Sequence, residues 1–207
     1  MAKGGIVLFS IRQGSNTLVI VLHEIYGLNR HMEHVCKQWH DSGTDVMCLN
    51  LLNRESFEAE QEQEAYQYFM QNIGFERPVE EVLKVASSMR HEYKRICLVG
   101  YSVGATIAWR CSARGNIDRV IAYYGSRIRD YVDSVPLCPS LLIYGQQESS
   151  FDVPTLLDKV QQHPTVQVYV AEGSHGFANP HAAMYNRRSA ELAWEQSERF
   201  MNQGQIG

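Results

Sequence analysis

The feature that most constrains the fold is an alternation between short runs rich in β-branched residues and longer segments with helical spacing. Strands are predicted over 5–10, 17–22, 44–52, 95–100, 119–125, 140–145 and 165–171, and helices over 30–42, 58–71, 78–93, 103–113 and 182–201. Strands that alternate with helices in this way are typical of a mostly parallel sheet with helices on both faces. The short connection at 11–16 also allows the first two strands to form a hairpin.

Length and charge exclude several other classes of protein. The chain has 207 residues, and no linker, repeat or low-complexity tract divides it, so we expect one domain over 1–207. Its net charge is -4, with 19 Lys and Arg scattered among 23 Asp and Glu, which does not indicate a nucleic-acid partner. No apolar stretch approaches the roughly 20 residues that span a bilayer, and the start lacks a cleavage site, so no membrane partner is expected.

The cysteines and histidines give no pattern of a metal or disulfide site. The five cysteines are odd in number and widely spaced in apolar surroundings, which predicts buried thiols in a reducing compartment, the cytoplasm: Cys36, Cys48, Cys97, Cys111 and Cys138. His31, His34 and His40 share one helical segment, but only His31 and His34 lie one turn apart. Two histidines without a third ligand seldom form a zinc site, so we interpret these residues as solvated helix surface. The segment HEIYG lacks the second histidine of a zinc-protease helix.

The segment LVGYSVGATIAWRC, at 98–111, places Ser102 between Gly100 and Gly104 where a strand pattern changes to a helical one. A serine at such a bend can hold its hydroxyl exposed above a sheet, because glycines let the neighbouring backbone approach closely. The alternative is that Ser102 only caps the helix. We interpret Ser102 as a catalytic nucleophile.

A serine nucleophile needs a base to accept its proton and an acid to orient that base. In the α/β-hydrolase arrangement the acid and then the histidine follow the serine along the chain. His175 follows the last predicted strand and is assigned as the general base, and both Glu148 and Asp152 follow the strand before it. We favour Glu148 as the acid because it is nearer to the strand end. Asp152, which precedes Pro154, is the alternative acid and is also placed to cap a helix.

Stabilising a tetrahedral oxyanion requires two hydrogen-bond donors. One donor is expected from the backbone N–H after the nucleophile, at Val103, and the other from the loop after an early strand, at Ile25. Tyr124 and Arg127 are candidates for the wall of the substrate pocket, although an aromatic residue that ends a buried strand is often a core residue.

At this point the chain resembles the dienelactone hydrolase family over nearly its whole length. The segments that carry the resemblance appear in the family's order: LHEIYGLN at 22–29, GYSVGA at 100–105, YYGSR at 123–127, HGF at 175–177 and MYNRRSAELAW at 184–194. The resemblance implies an α/β-hydrolase fold and the hydrolysis of esters or lactones without a cofactor.

The chain departs from the family's pattern at several positions. Well-known members use a cysteine where this chain has Ser102, and a glutamate at the position of Glu24 contacts that thiol, so Glu24 is expected beside the nucleophile. Members that cleave dienelactone hold the substrate carboxylate with two arginines, where this chain has Asn179 and Glu62. A negative Glu62 repels a carboxylate, so dienelactone is not the expected substrate.

The resulting hypothesis is a serine hydrolase that acts on small-molecule esters or lactones through Ser102, His175 and Glu148, with no cofactor or metal. A thioesterase or an acyl transferase could use the same three residues, because nothing in the sequence identifies the leaving group. A binding protein on a hydrolase scaffold is the rival from another class. The sequence leaves the oligomeric state open.

Overall fold

Side chains along the central strands alternate between two hydrophobic cores. In the strand Thr17–Leu22, Leu18 and Ile20 belong to one core, whereas Val19 and Val21 belong to the other. A strand is buried on both faces only where helices cover the sheet on both sides, which explains why these strands are nearly continuous apolar runs.

A computed structural model of the protein describes residues 8–203 and contains one seven-stranded sheet. Its strands are β1 (Leu8–Ile11), β2 (Thr17–Leu22), β3 (Asp45–Leu49), β4 (Arg95–Tyr101), β5 (Arg119–Tyr123), β6 (Ser140–Gln147) and β7 (Val166–Ser174). The order across the sheet is β1-β3-β2-β4-β5-β6-β7, and every neighbouring pair is parallel except β1 and β3. The mostly parallel sheet predicted from the sequence is confirmed.

The α-helices divide between the two faces of this sheet. They are α1 (Arg30–Asp41), α2 (Glu62–Tyr68), α3 (Glu76–Met89), α4 (Val103–Ser112), α5 (Val153–Val160) and α6 (Arg187–Asn202). Residues of α1 and α6, such as Trp39 and Phe200, pack in the core that contains Val19. Residues of α3, α4 and α5 pack in the core that contains Leu18.

The first two strands do not form the hairpin that their short connection allowed. The predicted strand over 5–10 lies partly outside the described residues, and β1 pairs antiparallel with β3. Because β2 lies between β3 and β4, it has no free edge for β1. The connection is held by Asp45, whose Oδ1 accepts the N–H of Gln13 at 2.8 Å and that of Ser15 at 3.0 Å.

Some helix boundaries differ from the periodic pattern. The helix predicted over 182–201 begins at Arg187, because the side-chain oxygen of Asn186 accepts the Ser189 N–H at 3.1 Å and caps the first turn. The residues before it are not helical and border the site described below.

The segment predicted as one helix over 58–71 contains three elements. A 3₁₀ turn (Ala59–Gln61) leads into α2, and a π-helical turn (Phe69–Ile73) follows it. All five cysteines are buried and unpaired, as predicted. Among residues 8–203, no helix is both long and apolar enough to cross a bilayer.

Candidate active site

Ser102 lies at the sharp turn between β4 and α4. Its φ of 54° and ψ of -113° place it in a backbone region that residues with a Cβ rarely adopt. The turn is held because the Ser102 N–H donates to the Tyr123 carbonyl at 2.9 Å, which ties it to β5. Strain maintained by surrounding contacts is characteristic of a nucleophile at a strand-to-helix turn.

The two glycines that flank Ser102 allow close backbone packing. A Cβ at Gly100 would lie 2.2 Å from the Gly104 carbonyl oxygen, and a Cβ at Gly104 would lie 2.2 Å from the Leu22 carbonyl oxygen. The start of α4 therefore packs directly on the end of β2. Since the loop after β2 begins at His23, this packing brings that loop next to Ser102.

An irregularity at the end of the β6–β7 pairing positions the side chains of Glu148 and His175. The register shifts there so that β7 carries one extra residue, as in a β-bulge. Gly173, in the shifted segment, has a φ of +114°, and a Cβ at Gly145 would lie 2.6 Å from its carbonyl oxygen. The bulge therefore needs glycine on both strands, and Glu148 and His175 follow it directly.

The structure brings Ser102, His175 and Glu148 into one hydrogen-bonded chain. The Nε2 atom of His175 lies 3.0 Å from Ser102 Oγ, and its Nδ1 atom lies 2.9 Å from Glu148 Oε2. The Glu148 side chain is only 1% exposed, whereas that of His175 is 40% exposed. The acid is therefore shielded while the imidazole edge faces the cavity.

The pKa of His175 is raised above its ordinary value. Burial by itself lowers this pKa, but the hydrogen bond and the negative charge of Glu148 favour the imidazolium form and outweigh burial. The charges of Glu24 and Glu62 act in the same direction. The environment therefore stabilises a positive charge on the imidazole.

Asp152, the alternative acid, has a local structural role. It is the N-cap of α5, and its Oδ2 atom accepts the Thr155 N–H at 2.9 Å and the Thr155 hydroxyl at 2.6 Å. These bonds lower the Asp152 pKa. Of the two candidates, Glu148 is the one in contact with His175.

The loop after β2 presents a backbone N–H beside Ser102. The Gly27 N–H closes a turn by donating to the Glu24 carbonyl at 3.2 Å, and the N–H of Ile25 makes no hydrogen bond within the described part of the chain. Val103 is the first residue of α4, so its N–H has no intrahelical acceptor. Ile25 and Val103 line the same cavity as Ser102.

Three buried side chains hydrogen bond to the Glu24 carboxylate. His31 Nδ1 lies 3.3 Å from Oε2, the Tyr124 hydroxyl donates to Oε1 at 3.1 Å, and Asn179 Nδ2 donates to Oε2 at 3.4 Å. Burial alone raises the pKa of Glu24, but the charge and hydrogen bond of His31, with the Tyr124 hydrogen bond, lower it overall. Glu24 is therefore an anion inside the protein.

The interpretation of His31 as a solvated residue is wrong. His31 is 1% exposed, because it falls on the face of α1 that also buries Val35 and Trp39, at intervals of four residues. His34 is exposed, as expected. The helical spacing was a usable signal for the burial of His31. Its partner Glu24 lies in another element, so no local pattern connects the two.

The two predicted pocket residues occupy different positions. Tyr124 is fully buried and is not at the cavity surface; its ring lies 4.9 Å from the His175 ring and its hydroxyl contacts Glu24. Arg127 does line the cavity, and its guanidinium contacts Asp130 at 3.1 Å.

The cavity at Ser102 has two lobes of different charge. The acidic lobe, with a volume of about 640 Å³, is lined by Glu24 and Glu62. The basic lobe, of about 270 Å³, is lined by Arg127 and Arg129, with Glu62 at the boundary between the lobes. Neither at this cavity nor elsewhere in residues 8–203 does the structure contain a group of three or more His, Cys, Asp or Glu side chains that could bind a metal ion.

A mostly parallel sheet with a serine at a strand-to-helix turn, and with an acid and a histidine on later loops, defines the α/β-hydrolase class. A putative dienelactone hydrolase from Klebsiella pneumoniae subsp. pneumoniae has this fold, with a TM-score of 0.76 at 20% identity over 90% of this chain and 86% of that chain. Est1E from Butyrivibrio proteoclasticus, solved with ferulic acid, gives a TM-score of 0.69 at 14% identity over 95% of each chain.

The chain belongs to the dienelactone hydrolase family, whose model matches residues 7–205. Among its relatives, YczH of Bacillus subtilis (strain 168) is 39% identical over 176 residues, which cover 82% of this chain and 85% of that protein. The carboxymethylenebutenolidase of Pseudomonas putida is 25% identical over 200 residues, which cover 89% of this chain and 84% of that protein. The protein is accordingly a hydrolase that acts on ester bonds.

Proposed function

We propose that the protein is a serine esterase that cleaves small esters or lactones through Ser102, His175 and Glu148. The observation that carries this proposal is the continuous chain of contacts from Ser102 Oγ to His175 Nε2 at 3.0 Å and from His175 Nδ1 to Glu148 Oε2 at 2.9 Å. A serine hydroxyl is not ionised at neutral pH, so its base must lie within hydrogen-bond distance, as His175 does.

In the proposed mechanism, Ser102 Oγ attacks the ester carbonyl carbon while His175 Nε2 accepts the hydroxyl proton. The N–H groups of Ile25 and Val103 donate to the carbonyl oxygen as it becomes negative. Glu148 stabilises the imidazolium, which then gives its proton to the leaving oxygen. Water, deprotonated by His175, finally attacks the acyl-serine and releases the acid.

Glu24 does not act as the base in this mechanism. Its two oxygens already accept hydrogen bonds from His31, Tyr124 and Asn179, and Ser102 is not among its partners in the described residues. We propose that its role here is electrostatic: it supplies fixed negative charge to the acidic lobe and favours the protonated form of His175.

The charge of the acidic lobe favours substrates that are neutral on that side. Glu24 and Glu62 line it. Asn179, which occupies the position where dienelactone-cleaving members of the family carry an arginine, donates its amide to Glu24. A substrate carboxylate in this lobe meets two negative side chains, and among the described residues no Lys or Arg lines this lobe. We therefore propose neutral esters or lactones as the substrate class, and not dienelactone.

A matched pair of substrates tests this charge preference. We expect an ester with a methyl-terminated acyl chain to show a kcat/KM about tenfold higher than its carboxylate-terminated analogue of equal length, an effect of roughly 1.4 kcal/mol. Glu62→Gln should reduce the ratio of kcat/KM between the neutral and the anionic ester, because it removes one of the repelling charges. Arg127→Gln, in the basic lobe, should not reduce this ratio. A preference for the anionic ester that Arg127→Gln abolishes would instead assign carboxylate binding to the basic lobe.

A fluorophosphonate probe tests the proposed nucleophile directly. We expect one probe per folded chain on Ser102, located by peptide mass spectrometry, because such probes react with serines activated by a neighbouring base. Ser149→Ala, at another serine of the same cavity, is the matched control and should still be labelled. Folded wild-type protein without label on Ser102 would contradict the proposal and favour a binding protein on a hydrolase scaffold.

A further inference from the structure

His23 bridges the loops that follow β2 and β3. Its side chain is fully buried, and its Nδ1 atom lies 2.6 Å from the backbone carbonyl oxygen of Glu24. On the other side of the ring, the backbone N–H of Leu51 donates to Nε2 at 2.9 Å. The mechanism described above makes no use of this histidine.

These two contacts determine where the proton of His23 lies. A backbone N–H can only donate, so Nε2 must be the unprotonated nitrogen, and a carbonyl can only accept, so Nδ1 must carry the proton. Burial lowers the pKa of His23 to about 4, which keeps this neutral form at physiological pH. The ring is therefore a fixed donor toward Glu24 and a fixed acceptor toward Leu51.

The Glu24 carbonyl and the Ile25 N–H belong to the same peptide unit. Because that unit is planar and trans, its C=O and N–H point in opposite directions, and fixing one fixes the other. The Ile25 N–H has no hydrogen-bond partner of its own in the described residues, so its direction depends on what holds the carbonyl. The carbonyl accepts the short bond from His23 at 2.6 Å and the longer turn bond from Gly27 at 3.2 Å.

The Leu51 backbone, which holds the far side of the His23 ring, is fixed to the sheet. Leu51 is fully buried and follows β3, which pairs with β2 along its whole length up to Leu22 opposite Leu49. His23 thus connects the turn that carries Ile25 to the frame of the sheet. A turn held only by its own Gly27 bond would lack this connection.

We propose that His23 is a positioning residue that directs the Ile25 N–H toward the substrate oxyanion by holding the Glu24 carbonyl from behind. It acts only through the Glu24–Ile25 peptide and touches no reacting atom. The inference rests on the proposed serine esterase function. A donor directed at the developing oxyanion stabilises the transition state more than the ground state, so its loss lowers kcat more than it changes KM.

Two variants of His23 separate positioning from packing. His23→Leu keeps a buried side chain but has no donor, and we expect kcat to fall about 10- to 100-fold with KM changed less than about threefold, since loss of a whole oxyanion donor costs about 10²- to 10³-fold. His23→Asn has an amide nitrogen on Cγ, where Nδ1 is attached in histidine, so it can still donate to Glu24. Because it lacks the acceptor for the Leu51 N–H, it should recover kcat only in part, to a value at least about threefold above that of His23→Leu.

Val46→Ala provides a control for lost stability. Val46 is buried in the core on the opposite side of the sheet from Ile25, so the variant should lower Tm while kcat stays at the wild-type value. Equal kcat in His23→Leu and wild type, or an equal loss in His23→Leu and His23→Asn when both are folded, would overturn the inference.

The protonation of His23 can be measured in the wild-type protein even if neither His23 variant folds. In ¹⁵N-histidine NMR at pH 7 we expect His23 to be protonated at Nδ1 and unprotonated at Nε2, and the opposite tautomer or a charged ring would overturn the inference. If wild-type protein neither hydrolyses esters nor takes a fluorophosphonate on Ser102, the proposed function fails. Active wild-type protein with fully active His23→Leu overturns only the role of His23.

Discussion

Ser102→Ala is expected to reduce ester turnover by about 10³-fold or more while leaving the fold intact. The change removes one hydroxyl, and alanine at this position has the same strained φ that serine adopts, 54°. The packing of Gly100 and Gly104 around the turn is also unaffected. Steady-state hydrolysis of a short-chain ester, measured with circular dichroism and Tm on the same samples, tests the prediction.

Ser149→Ala is the matched control, because Ser149 lines the same cavity and has no place in the proposed chemistry. Its turnover should stay within about threefold of wild type, as expected for a surface change that leaves the triad untouched. Near-normal turnover in Ser102→Ala would refute nucleophilic catalysis by this serine.

Glu148→Gln is expected to reduce turnover by about 10²- to 10⁴-fold, and Asp152→Asn to leave it largely unchanged. Glu148 contacts His175 at 2.9 Å, so the amide removes the negative charge that stabilises the imidazolium. Asp152 contacts Thr155, and asparagine can still cap the helix there. Turnover of the two variants, measured with the same ester, shows which of the two acidic residues in this loop orients His175.

The reverse result, a severe loss in Asp152→Asn and a mild one in Glu148→Gln, would reassign the acid and leave the serine esterase proposal standing. The pH profile gives a second measurement. Only neutral His175 can accept the serine proton, so wild-type kcat/KM should fall as pH decreases through the raised pKa of His175. Because Glu148 raises that pKa, its amide variant should move this acidic limb to lower pH.

The parts of the fold and site that the sequence predicted are those with a local signal. The buried strands appear as short apolar runs, and the turn at Ser102 is marked by Gly100 and Gly104 within five residues. Glu148 and His175 were assigned from the chain order of the α/β-hydrolase arrangement, in which the acid and then the histidine follow the serine, and from their positions just after predicted strands. The segments that carry the family resemblance include Ser102 and His175 but not Glu148.

The features that the sequence did not predict depend on contacts between distant segments. The partner of β1 is β3 rather than β2, because the neighbour of a strand is decided by the whole sheet. His31 faces Glu24 only after α1 packs against the loop that follows β2. The bond from Leu51 to His23 spans 28 residues and joins two loops with no shared motif.

The residues at the cavity come from opposite ends of the chain, which has a consequence for the order of folding. The bond between Asn179 and Glu24 joins positions 155 residues apart, and Ser102 and His175 are 73 residues apart. Contacts that close such long loops carry a large entropic cost and are gained slowly. During synthesis Ser102, the proposed nucleophile, leaves the ribosome well before His175, its proposed base, which follows β7 at the edge of the sheet. Ester hydrolysis therefore reports the docking of the last strand, whereas burial of the central strands can be complete in a chain that is still inactive.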